Sequence, residues 1–159
     1  MANLEHVKYI SLGNPTPGPV NADQAALWEA QKATGIAVDF NQFLKMEDSI
    51  VPGSFGMGGC WISNLQGGQP FQVEVAHSHT CDEILGFAGS DCTDPYALGG
   101  EIEFWLEDEQ LIITRSCLVF IPAGTMHCPM YVRRVDRPIF HFGAAVDSRY
   151  EQNVKREVS

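Results

Sequence analysis

From Phe55 onward the chain is a series of short apolar runs, each closed by Gly, Pro, Asn or Asp. The runs cover 56–65, 71–77, 83–88, 101–106, 111–115, 118–121, 128–133 and 139–146. Runs of this length, bounded by turn residues, predict strands, and almost no helical spacing interrupts them. Such a succession predicts an all-β domain, folded as an antiparallel sandwich or barrel. The first third is mixed. Residues 6–12 predict a short strand, and Pro15, Pro17 and Pro19 forbid a ladder or helix in the loop 13–19. Ala25, Leu27, Trp28 and Ala30 predict a helix capped by Asn21 or Asp23, with Gly35 at its end. The expected organisation is an extension over 1–54 packing on a barrel over 55–146. A polar segment, 147–159, follows as a mobile tail or short surface helix.

Strand parity locates the chemistry within this pattern. Residues two apart on a strand point to one face. Phe71, Val73 and Val75 share a parity with His77 and His79, so the apolar inner face of this run leads into two imidazoles. Glu83, Leu85 and Phe87 repeat the arrangement, with Thr80–Cys81–Asp82 as the turn between. Pro122-Ala123-Gly124-Thr125 predicts a tight turn that delivers His127 to the start of another strand. Three neutral imidazoles and one carboxylate suit a divalent first-row metal. The candidate ligands are therefore His77, His79, Glu83 and His127. His127, Pro129 and Tyr131 share one face by the same counting, which makes Tyr131 a donor beside the site. In Phe140-His141-Phe142 the phenylalanines take one face and His141 the other, toward the pocket, where it could act as a base. Cys81 would be a soft ligand lying in the turn, and Asp82 is a second carboxylate whose parity points it away. Glu101 and Glu103 read as a solvated strand face, Trp61 and Trp105 as packing residues. His6 has no assigned role.

Composition narrows the function classes. The chain has 159 residues, 45 % hydrophobic and 19 % charged, which is enough for one globular domain with a sizeable core. A formal net charge of −10 opposes binding to nucleic acid or to anionic membranes. No apolar run approaches a membrane span, and the N-terminus lacks the basic and apolar regions of a secretory signal. The five cysteines are odd in number and form no CxxC pair, which predicts reduced thiols and a cytoplasmic location.

The two clusters resemble the motifs of the cupin superfamily. The first motif is a glycine, five residues, HxH, three or four residues, a glutamate, six residues and a glycine. His77, His79 and Glu83 match it, Gly89 closes it one residue early, and Phe71 stands in place of the leading glycine. The second motif is a glycine, five residues, PxGxxH, three residues and an asparagine. Pro122, Gly124 and His127 match, with Ser116 and Tyr131 at the flanking positions. The departures fall on turn and strand positions, not on the ligands.

The resemblance implies a double-stranded β-helix, or jelly-roll barrel, with a metal in its mouth and a homodimeric assembly. The metal would be Fe, Mn, Ni or Zn, gripping a small substrate through its oxygens: an enol, β-dicarbonyl, 2-hydroxy acid or catechol-like group. Two enzyme classes follow. An oxidoreductase of the dioxygenase type would cleave a C–C bond, with Glu83 leaving the metal to serve as base, as the resemblance to flavonol-cleaving cupins implies. A non-redox isomerase, decarboxylase, lyase or hydrolase would use His141 or Tyr131 to move a proton. A non-catalytic ligand-binding cupin is the third expectation. A storage-type cupin would need two barrels, which this length disfavours.

Overall fold

The computed structural model describes residues 7–11, 21–146 and 153–154. The expectations for His6, the loop 13–19 and most of 147–159 lie outside the described residues. Val7–Tyr9 is a single 3-10 turn where a strand was expected. Helix α1, Ala22–Ala33, forms as predicted: the Asn21 side chain accepts from Gln24 N at 2.8 Å, and Gly35 follows the helix at φ +84.

All remaining elements are strands, paired antiparallel in two sheets. They are β1 Ala37–Met46, β2 Gly56–Gln66, β3 Phe71–Glu74, β4 His77–Ser78, β5 Glu83–Gly89, β6 Ala97–Leu106, β7 Glu109–Arg115, β8 Cys117–Ile121, β9 His127–Val135, β10 Ile139–Ala145 and β11 Asn153–Val154. One sheet runs β1-β2-β10-β5-β8, the other β11-β4-β9-β6-β7, with β3 also on β9. This is an all-β jelly roll. Ile62, Phe71, Phe87, Ile102, Phe104, Val132 and Ile139 lie fully buried between the sheets. No helix among the described residues is long and apolar enough to cross a membrane.

Three strands differ from the sequence pattern, each for a local reason. Strand β1 was not anticipated, because it slips register against β2 twice, between Ala37 and Asp39 and between Gln42 and Leu44. Each slip breaks the period of two. Strand β6 begins at Ala97 rather than at 101, since Gly99 and Gly100 mark a crowded strand crossing and not a turn. A Cβ on Gly100 would run into the Arg134 carbonyl. In the segment expected as a tail or helix, Asn153 and Val154 pair with Ser78 and His77. Glu101 and Glu103 lie on the outer face of β6 and ion-pair with Arg133 at 3.0 and 2.8 Å, but that face is less solvated than expected, the Glu103 side chain being only 13 % exposed.

Helix α1 covers the edge of β3 that β9 leaves open. It does so with polar side chains one and two turns apart. Gln24 Nε2 and Trp28 Nε1 donate to Val73 O at 3.1 and 2.8 Å, and Gln31 exchanges two bonds with the Gln72 backbone. Backbone groups on a strand edge are thereby satisfied without another strand. Trp28 also stacks on Phe40, with ring centroids 4.8 Å apart.

Two of the motif departures, Gly89 and Ser116, meet in the fold. Gly89 N donates to Ser116 Oγ at 3.1 Å, so the serine in the place of a glycine ties β5 to the start of β8. A Cβ on Gly89 would collide with the Ala97 carbonyl, which is backbone and cannot swing away. Gly89→Ala should therefore destabilise the fold by about 2–3 kcal/mol, read as a lower denaturant midpoint. An unchanged midpoint would contradict this close approach.

Candidate metal centre

His77, His79, Glu83 and His127 converge at one end of the barrel, each nearly sealed from solvent. His77 and His127 are direct cross-strand partners on β4 and β9. Glu83 opens β5, and its parity is as predicted: Glu83, Leu85 and Phe87 all face inward. The imidazoles cluster with ring centroids 4.3 to 5.1 Å apart. Glu83 Oε2 lies 3.3 Å from the Nε2 atoms of both His79 and His127.

Backbone carbonyls set the ring orientations. His77 Nδ1 is 2.8 Å from Val75 O, and His127 Nδ1 is 3.1 Å from Thr125 O. A carbonyl accepts only, so Nδ1 carries the proton and Nε2 presents its lone pair. That is the tautomer a metal requires. The turns bearing these residues are bound to each other. Gly124, at φ +81, donates from its N–H to His79 O at 2.8 Å, and Ala123 N donates to Asp82 Oδ1 at 2.8 Å. Asp82, set aside as a ligand because of its parity, is exposed and fastens one motif's turn to the other's.

The electrostatics agree with a neutral His77 beside an ionised Glu83. Burial lowers His77 to about 4, outweighing the Val75 carbonyl. Burial works to raise Glu83, but the His127 and His79 imidazoles override it and hold the carboxyl at about 2. The donor chemistry fits a divalent transition metal: three imidazoles, two of them oriented by backbone carbonyls, one ionised carboxylate, and little solvent.

The donors fall into two overlapping groups. One contains His79, Glu83 and His127, and the other His77, His127 and Cys128, with ligand atoms within 4.8 Å of one another in each. Cys128 was not anticipated. Strand β9 gains one residue over β6 between the pairs Leu106↔His127 and Phe104↔Met130. This bulge reverses the parity beyond it. Tyr131 consequently pairs with Glu103 on the outward face and does not line the cavity, correcting its expected place beside the site. Burial, then the Glu103 charge, raises its phenol. Cys81 is half-buried and belongs to neither donor group.

A cavity of about 530 Å³ opens over the cluster. His141 lines it as predicted, opposite Phe140 and Phe142, with Nδ1 3.0 Å from Gly86 O and its ring stacked 4.6 Å from Phe87. Burial lowers its basicity, against smaller opposite effects from Gly86 O and Glu83. Glu74 also reaches the cavity, held by Gln24 Nε2 at 2.6 Å and Val75 N at 3.1 Å. It escaped the period-two reading because β3 slips register between Gln72 and Glu74, turning both Val73 and Glu74 inward.

No family model and no curated relative matches the chain. Its fold is similar to that of solved structures. One oxalate oxidase aligns with a TM-score of 0.50 at 12 % identity, over 97 % of this chain and 67 % of that one. A recombinant oxalate oxidase in complex with glycolate gives 0.47 at 13 %, over 76 % of this chain. The chain spans 55 % of that protein's length. A third, an RmlC-like cupin from Shewanella frigidimarina, gives 0.36 at 13 %, over 57 % of this chain and 67 % of its own.

Acid should unfold the metal-free protein in one direction. His77 sits at about 4 against 6.5 when unfolded, and Glu83 at about 2 against 4.5. In both cases the unfolded chain takes up protons first, so stability falls as pH drops through these windows. The Tm of chelator-treated protein should decline from about pH 6.5 to 2. A Tm that is flat or rises on acidification would contradict the buried, neutral imidazole and ionised carboxylate.

Proposed function

We propose that this chain, a cupin by its fold, is a metal-dependent enzyme acting on a small oxygenated substrate that chelates. His77, His79, Glu83 and His127 would hold the ion, which is Fe, Mn, Ni or Zn. The observation that carries this reading is Glu83 Oε2 within 3.3 Å of two imidazole Nε2 atoms, beneath an open cavity. When bound, the ion would supply Lewis acidity to stabilise negative charge on a substrate oxygen. An enol, β-dicarbonyl, 2-hydroxy acid or catechol-like group offers the oxygens such a site needs.

The chain's own residues carry the proton. With Nδ1 donating to Gly86 O, His141 keeps Nε2 as an acceptor, and its lowered basicity leaves it neutral near pH 7. A neutral imidazole in the cavity wall is suited to take a proton from carbon or oxygen of a substrate. Phe87 fixes its ring plane. Leu85 and Met130 keep the wall beside Glu83 apolar. Gly143 leaves space where a side chain would crowd Leu85 and approach Glu83 Oε1. A proton acceptor in the wall suits the non-redox class (isomerisation, decarboxylation, lyase cleavage or hydrolysis), in which a residue of the chain moves a proton. Tyr131 has no part in it.

The same reading takes the protein as a cytoplasmic homodimer that does not bind nucleic acid. The five thiols form no disulfide among the described residues, which suits a reducing compartment. The net charge of −10 opposes a phosphate backbone. The outer face of the β1-β2-β10-β5-β8 sheet supports the dimer. Phe120, Ile84, Ala144 and Met57 form one cross-strand row there, with Leu118 and Phe142 in the next. Leu118 is 69 % and Phe120 59 % exposed at the sheet edge. Contiguous apolar surface of this kind marks an interface.

Metal-loaded protein should turn over at least one class among β-dicarbonyl, 2-hydroxy-acid and catechol-type compounds, equally with and without air. His141→Gln should lower kcat by about 10²-fold with metal content unchanged. Turnover that stops without oxygen would shift the assignment to a dioxygenase, and tight binding without turnover to a ligand-binding module. Light scattering should give twice the chain mass for the native protein and a monomer for Leu118→Asp/Phe120→Glu. A native monomer would contradict the interface.

A further inference from the structure

We propose that Cys128 is a direct metal ligand, joining His77 and His127 through its thiolate. The inference rests on the metal reading above and extends it to a residue outside the motif. Neighbouring residues on a strand point to opposite faces, yet His127 and Cys128 are both buried and both line the cavity. The extra residue of β9 opposite β6 makes this arrangement. Cys128 itself adopts φ 62, a left-handed conformation that non-glycine residues avoid. A backbone excursion that turns a thiol toward two imidazoles is more specific than a buried cysteine filling space. Sγ and one nitrogen of each of His77 and His127 lie within 4.8 Å of one another. Cys60 also lines the cavity but belongs to neither donor group, which makes it an internal control.

Softness favours the ligation. Ligation replaces the Cys128 S–H bond by a sulfur–metal bond, and the released proton passes to solvent. A thiolate selects zinc over harder ions such as manganese.

The test is zinc X-ray absorption on the full chain reconstituted with zinc alone. The native protein should show a sulfur scatterer at about 2.3 Å beside the nitrogen and oxygen shell at about 2.0–2.1 Å. Cys128→Ser should lose that scatterer while still binding zinc, and Cys60→Ser should keep it. A native spectrum with nitrogen and oxygen only would overturn the inference and leave the metal reading intact. Sulfur persisting in Cys128→Ser would also overturn it, by assigning the bond to another thiol. Failure of the native chain to bind zinc, manganese, iron or nickel would instead remove the metal reading itself. Should Cys128→Ser not fold, the native spectrum and Cys60→Ser decide the question alone.

Discussion

A carboxylate whose side chain is only 5 % exposed must be compensated where it sits, or the barrel end that buries it would not form. Glu83 meets His79, just past β4, and His127, at the start of β9, and a divalent ion held among these donors would supply the opposite charge. Most of the local architecture serves that meeting. The β4–β9 pairing sets His77 across from His127, and the Gly124 N–H to His79 carbonyl bond joins the turn of one cluster to the other. Asp82 adds a second tie through Ala123 N. The residues that can bind a metal and those that fix their positions are thus interleaved along the same few loops.

The cavity above the cluster depends on a different solution to burying polar groups. One wall is β3, whose open edge needs hydrogen-bond partners. Helix α1 supplies them from Gln24, Trp28 and Gln31. Gln24 then reaches past the backbone to Glu74, so the helix also holds a carboxylate in the cavity wall. The opposite wall carries His141, locked by Gly86 O and Phe87. A small substrate would therefore meet groups whose orientations are already set, the condition under which positioning contributes most to rate.

Period-two counting worked wherever the ladder was regular. It placed Glu83, Leu85 and Phe87 inward on β5, and His141 inward between two outward phenylalanines on β10. The antiparallel all-β domain and the inward rows that carry His77, His79 and Glu83 were legible for this reason, while the jelly roll was implied by the resemblance of the two motifs. Counting failed at the bulges, because one inserted residue exchanges the two faces. On β9 it brought Cys128 in and turned Tyr131 out, and on β3 it exposed Glu74 to the cavity. Strand β1 was hidden by two such slips, and the docking of α1 was invisible because its contacts are polar. Pro129, between His127 and Met130, was the signal that could have marked the β9 bulge, since proline inside a strand sits at an edge or a bulge.

The central claim is that the buried cluster exists to hold one divalent metal. It is tested most directly by elemental analysis of the untagged protein after exhaustive dialysis, beside His127→Ala. His127 is common to both donor groups. The account predicts about one metal ion per native chain and near-zero occupancy in the variant, with both proteins folded. Native protein that retains no divalent ion after loading, or a variant that keeps full occupancy, would contradict it.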